Sequence, residues 1–262
     1  MPDDDGAARL ERARSAAGND LNALLHEADE KSLLALLENP NIEELHVTRL
    51  LERLDLSAEL LTAVAQEGKW TASEGVRLRL ARHPRTPRRV ALPLVRQLYL
   101  FDLVRLSLLP SAPADIRRVA EEAILTRIPH LPAGEKLTLA RRGPARVAGA
   151  LLAEGHPQAL KLVLANTFLT ESQVLKVVAK PGVPERVITS IAQHPKWSAQ
   201  YNVRVALVRN PHTPVPAALA FLADLTLCDL QDLLKTDGLA PQLRKHLQQE
   251  LKRRLGAEKN TG

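Results

Sequence analysis

Apolar positions recur along this chain with the period of an α-helix. Val76 and Leu80, then Val90, Leu94 and Leu98, follow one another at intervals close to three or four residues, the spacing of one buried helical stripe. The stripes are interrupted often, leaving segments of about 10 to 14 residues, near the mean helix length of folded proteins. Proline sets the interruptions. In ARHPRTPRRVALPLVRQL, Pro84 ends one helix, Thr86 can cap the next through its hydroxyl, and Pro87 takes the first helical position, where its missing N–H costs nothing. Thr213-Pro214, Pro113, Pro132 and Pro184-Glu185 repeat that grammar, so the 18 prolines are compatible with an almost wholly helical chain. No segment sustains a period-two alternation, and the expected fold class is all-α with no sheet.

The pattern is also written twice. WTASEGVRLRLARHPRTPRRVALPLVRQLYLFDL, from Trp70 to Leu103, returns without a gap as WSAQYNVRVALVRNPHTPVPAALAFLADLTLCDL, from Trp197 to Leu230, an offset of 127 residues (197 − 70). Trp70, Arg77, Arg82, Thr86, Pro87 and Asp102 fall on Trp197, Arg204, Arg209, Thr213, Pro214 and Asp229, and are read as residues that serve the repeat itself. The tryptophans are expected to anchor the turn before the VR helix, and Arg82 and Arg209 to bond helix-end carbonyls or to pair with Asp102 and Asp229. Upstream, Asn39 falls on Asn166 and Val47 on Val174; downstream, Ile116, Ala120 and Ile124 fall on Leu243, Leu247 and Leu251. The expected organisation is a disordered tip at 1–16 and one internally duplicated α-solenoid of short helix pairs over 17–256. Within it, copy one spans about 32–128, a helical insert 129–158 and copy two about 159–255, with a flexible tail at 257–262. A stack of such pairs is elongated, each unit touching its neighbours.

Composition changes the picture in two places. The apolar share of 45% is enough for a continuous core, whereas aromatics are only 3%. Cys228 is the one cysteine, which excludes an intramolecular disulfide and a cysteine-clustered metal site and fits a reducing cytosol. There is no basic-then-apolar leader, and Arg96, Asp102 and Arg105 cut the longest apolar stretches, so a cytoplasmic protein without a membrane span is expected. The Ala, Leu, Arg and Pro richness points to a bacterial source. The net charge of +6 is unevenly spread: residues 1–74 carry 7 basic and 16 acidic side chains, residues 75–146 carry 15 and 5.

In that basic middle, Arg79, Arg85, Arg88 and Arg89 are replaced in the second copy by Ala206, His212, Val215 and Pro216. Arginines that the repeat does without are candidates for a binding surface. Arg117 and Arg118, with Arg127 on the outward side of the helix from Ala114 to Pro132, and Arg141, Arg142 and Arg146 in the insert, extend it. A charged face that only keeps the fold in solution is the plainer reading. Signals for catalysis are thin. The eight histidines make no metal-ligand spacing, glycines form no phosphate loop, and His83, His194 and His212 sit beside prolines in turns, where helix-end capping is expected. No catalytic residue, metal or cofactor is therefore assigned.

The phrase VRxxLxRxPxTPxxxxxxL, present as VRLRLARHPRTPRRVALPL and VRVALVRNPHTPVPAALAF, resembles the leucine-rich repeat variant, a bacterial relative of the HEAT and armadillo superhelices. Weaker versions, LLALLENPNIEELHVTRLL and LKLVLANTFLTESQVLKVV, extend the likeness over most of the chain. The resemblance implies a curved, right-handed solenoid used as an extended binding surface. One described member of that family holds a cysteine-ligated iron–sulfur cluster, which Cys228 alone cannot reproduce. The expected function is a non-enzymatic scaffold or adaptor that binds another protein along its inner curve. The rival is a nucleic-acid-binding solenoid whose arginines contact phosphates, opposed by the acidic N-terminal third and the few aromatics available for base stacking.

Overall fold

The computed structural model describes residues 3–27, 29–235, 239 and 241–259, and among them every regular element is helical. The chain divides into two compact units, one running to Arg127 and one from Ile128 onward. The first holds α1 (Asp3–Ser15), α2 (Gly18–Glu27), α3 (Glu30–Leu37), α4 (Glu44–Leu50), α5 (Ala58–Gln66), α6 (Gly68–Thr71), α7 (Glu74–Arg82), α8 (Arg88–Gln97), α9 (Leu100–Leu108) and α10 (Ala114–Arg127). After a single 3-10 turn at Ile128–His130, the second holds α11 (Ala133–Arg142), α12 (Ala145–Glu154), α13 (Pro157–Leu164), α14 (Glu171–Ala179), α15 (Glu185–Gln193), α16 (Pro195–Ser198), α17 (Tyr201–Arg209), α18 (Val215–Leu222), α19 (Leu227–Leu234) and α20 (Pro241–Lys259).

Helix for helix, the second series follows the first at the sequence offset, and α2, α3, α5, α6 and α7 share both boundaries with α12, α13, α15, α16 and α17. The packing pairs follow too: α2 on α4 and α12 on α14, α4 on α7 and α14 on α17, α9 on α10 and α19 on α20. So do the buried side chains. Leu60, Leu61, Val76, Leu80, Leu98 and Leu103 are buried, and so are Val187, Ile188, Val203, Leu207, Leu225 and Leu230. Each such side chain removed from water is worth about 1.5–3 kcal/mol, so these stripes hold the units together.

Polar side chains tie successive helices where the apolar stripes leave off. Asn39 is buried; its amide nitrogen donates to Ala13 O (2.8 Å) and Ala16 O (2.9 Å) while its oxygen accepts from Asn41 N (2.8 Å). Asn166 repeats this with Ala140 O and Gly143 O, both at 3.0 Å, and Phe168 N at 2.7 Å. The turn after α7 uses an imidazole for the same work, as His83 Nε2 lies 2.7 Å from Arg53 O and Nδ1 accepts from Arg85 N. Asn210, after α17, bonds Val178 O and His212 N. A side chain that both accepts the amide two residues on and reaches the carbonyl of an earlier element satisfies backbone groups that helix ends leave open.

The structure departs from the sequence expectations at several places. The segment 1–16 is a helix from Asp3 to Ser15 packed on α3, with Ala13 and Ala16 buried, because its apolar residues meet the same stripe as those of α11. The stretch 129–158, expected as a helical insert, holds α11 and α12, and α12 has the bounds of α2 at the 127-residue offset. Thr86 does not cap α8; its hydroxyl is buried without a partner, and Pro87 itself stands at the cap, one residue before the helix. Thr213 turns back to Leu207 O at 2.6 Å. Arg127 is not outward: its guanidinium donates to Leu98 O and Arg96 O, both 2.8 Å, as Arg254 does to Leu225 O (2.5 Å) and Ala223 O (2.6 Å). Of the tail, 257–259 belong to α20, and 260–262 lie outside the described residues.

Candidate binding grooves

In the first unit a groove of about 590 Å³ opens where the chain leaves α4, passes the end of α7 and meets the turn after α9. Leu51, Leu54, Leu78, Arg82, His83 and Pro84 line it. The second unit has a groove of about 840 Å³ in which Val178, Pro181, Val205, Arg209, Asn210 and Pro211 stand at the equivalent positions. The bonded His83 and Asn210 fix the wall that each groove shares with its proline turn.

The chemistry along these walls is apolar with a few charges. In the first groove Arg79 lies 3.6 Å from Glu52, while Arg82, exposed in the last turn of α7, forms no ion pair or hydrogen bond among the described residues. Leu54 is 69% exposed on the same wall, an uncovered aliphatic side chain beside an uncommitted guanidinium. In the second groove Lys180 and Arg209 are exposed, and the carboxylate is Asp229. Asp229 accepts from the hydroxyls of Tyr201 and Thr226 (2.6 Å), and these two bonds, Thr226 first, with the charge of Arg209 hold its carboxyl below the ordinary range. Tyr201 also accepts from Thr226 N at 3.0 Å, the place where Glu74 accepts from Tyr99 N at 2.6 Å in the first unit. With Arg79 and Arg82 against Glu52 in the first groove, and Lys180 and Arg209 against Asp229 in the second, each lining keeps one positive charge in excess.

The arginines singled out in the sequence have varied fates. Arg88 pairs with Asp115 at 2.8 Å, Arg85 donates to Asp55 O at 2.7 Å, Arg118 lies 4.0 Å from Glu122, and Arg146 is engaged as well. Arg117 is half-buried with its Nε enclosed and unpartnered. Arg89, Arg141 and Arg142 are exposed. Arg77 donates to Thr71 O (2.6 Å) and pairs with Glu74 (2.5 Å); Arg204 donates to Ser198 O (2.5 Å) and pairs with Asp224 (2.6 Å). Asp102 faces Arg105 at 3.5 Å and not Arg82, since Arg105 shares its helix one turn away. Trp70 and Trp197 are buried, each with the neighbouring lysine ammonium over its ring at 4.2 and 4.1 Å. Trp197 Nε1 donates to Leu164 O at 2.9 Å, whereas Trp70 Nε1 has no partner. Arg82 and Arg209, read from the sequence as serving the repeat, are exposed and line the two grooves.

Among the described residues no three His, Cys, Asp or Glu side chains gather where a metal ion could be held, and no helix is long and apolar enough to cross a membrane. The titrating groups bear on stability. Asp55 is lowered to about 2 by the bidentate Arg53, and Glu250 to about 2 by Arg253 and Arg254. Burial, with Lys196 nearby, lowers His194 below 6.5. A depressed histidine makes the unfolded chain take up the proton first, so stability declines gently as pH drops below about 6.5. Depressed carboxylates act the same way lower down: their contribution is complete above the unfolded values and is lost as pH falls through about 4.5 toward 2. Urea midpoints measured across that range are expected to show the shallow step and then the steep one, with His194→Gln removing the first.

No protein-family model, curated protein or solved structure matches this chain.

Proposed function

We propose that this all-α protein is an internally duplicated α-solenoid of the leucine-rich repeat variant type that works as a non-enzymatic scaffold, binding segments of another protein in its two grooves. The observation that carries the reading is the pair of grooves at equivalent positions, each with an aliphatic wall and a cation free of intramolecular bonds. Helical repeat folds serve mostly as extended binding surfaces, and a groove copied with the repeat is the form such a surface takes. The agreement of helix boundaries, packing pairs and asparagine bonds across the two units supports the duplication. Nucleic-acid binding is less favoured because Arg79, Arg85, Arg88 and Arg118 already meet acidic side chains or a backbone carbonyl.

The test is selection of binders from a random dodecapeptide display library, with a photo-crosslinking residue placed at Leu54 or Pro181 to map them. Labelled single- and double-stranded DNA and RNA are titrated in parallel at several salt concentrations. Enriched peptides that crosslink from both positions support the scaffold. Oligonucleotide binding that falls linearly in log–log salt, with no peptide enriched, would overturn it in favour of phosphate contacts.

A further inference from the structure

Resting on the scaffold reading, we infer that the occupant of each groove is an acidic peptide segment in which a carboxylate sits beside an aliphatic residue, and that one chain holds two such segments. Three observations converge. Arg82 and Arg209 occupy the same place in the last turn of α7 and α17, both exposed and neither forming a hydrogen bond or ion pair among the described residues. Each groove is lined by two cations and one acid, Arg79 and Arg82 with Glu52, and Lys180 and Arg209 with Asp229, so one positive charge is left for an incoming carboxylate. The wall beside each arginine is aliphatic, Leu54 and Leu78 in one groove and Pro181 and Val205 in the other.

A planar guanidinium presents a fork that a carboxylate meets with two parallel hydrogen bonds, and it gains most where neighbouring apolar surface excludes water. A free phosphate would satisfy the arginine without using that wall, and a neutral segment would use the wall and leave the charge unmatched. An acidic residue flanked by leucine, isoleucine or valine uses both. Two grooves with separate arginines give two independent sites.

The experiment compares two displayed dodecapeptide libraries of equal leucine content, one carrying Asp and Glu at its variable polar positions and the other Asn and Gln. Binders are expected from the acidic library alone. The best of them, labelled and followed by fluorescence anisotropy, is expected to saturate at two per chain. Arg82→Gln and Arg209→Gln are each expected to weaken one of the two sites about tenfold, and the double variant to weaken both. Both arginines are exposed, so thermal melting of the variants checks that the fold is kept. Binders drawn equally from the Asn and Gln library, or affinity unmoved in the double variant, would overturn the acidic assignment and leave the scaffold. Failure of both libraries to yield a binder would overturn the two together.

Discussion

Replacing Trp197 by alanine is expected to lower the unfolding free energy by about 3–5 kcal/mol, a large part of the total stability of a domain of ordinary size. The side chain is 2% exposed and donates from Nε1 to Leu164 O, so alanine leaves both a cavity and an unpaired carbonyl. Phenylalanine separates the two losses. At Trp197 it removes the hydrogen bond; at Trp70, where Nε1 is enclosed without a partner, there is no such bond to lose. Trp197→Phe is therefore expected to cost about 1–2 kcal/mol more than Trp70→Phe. Urea denaturation followed by circular dichroism checks both, and equal losses for the two phenylalanine variants would contradict the bond as the source of the difference.

The second large effect belongs to Asn166, where alanine is expected to cost about 3 kcal/mol. The substitution strips Ala140 O and Gly143 O of their donor and Phe168 N of its acceptor, and each enclosed backbone group left unpaired costs about 1–3 kcal/mol. Asn166→Asp is the sharper comparison: it keeps the oxygen that Phe168 N needs yet points a charge at two carbonyls, so at neutral pH it is expected to be no better than alanine. A loss below about 1 kcal/mol for either variant would show that the bonds to the earlier helix are not what holds that turn.

What the sequence disclosed is what local chemistry writes. Helix stripes and proline breaks are short-range, and the match from Trp70 to Leu103 survives because the core positions Val76, Leu80, Leu98 and Leu103 tolerate few alternatives in a packed interior. The sequence match ahead of Asn39 was harder to see. Leu10, Ala13, Arg14 and the run Ala23-Leu24-Leu25 do match Leu137, Ala140, Arg141 and Ala150-Leu151-Leu152, yet the exposed residues between them have diverged, and a few small or apolar matches were outweighed by charge differences. Asn39 and Asn166 were matched at the offset, but their carbonyl partners lie more than twenty residues earlier, where no spacing rule points. Arg127 sits on an amphipathic helix and was read as outward charge; only the backbone of the preceding helices shows it, and Arg254 at the offset, to be donors to carbonyls. Arg82 and Arg209 were read from their repetition alone, which carries no information on exposure; both stand exposed on the lining of a groove.

The placement of the tryptophans gives the molecule a built-in pair of optical probes. Each unit carries one indole, at the same buried position and beneath a lysine ammonium. A chain reduced to Trp70 reports on the first half and a chain reduced to Trp197 on the second, with no foreign dye attached. In either chain, an emission midpoint that coincides with the circular dichroism midpoint of that same chain would mark a single cooperative transition across both halves, and one that departs from it would mark two.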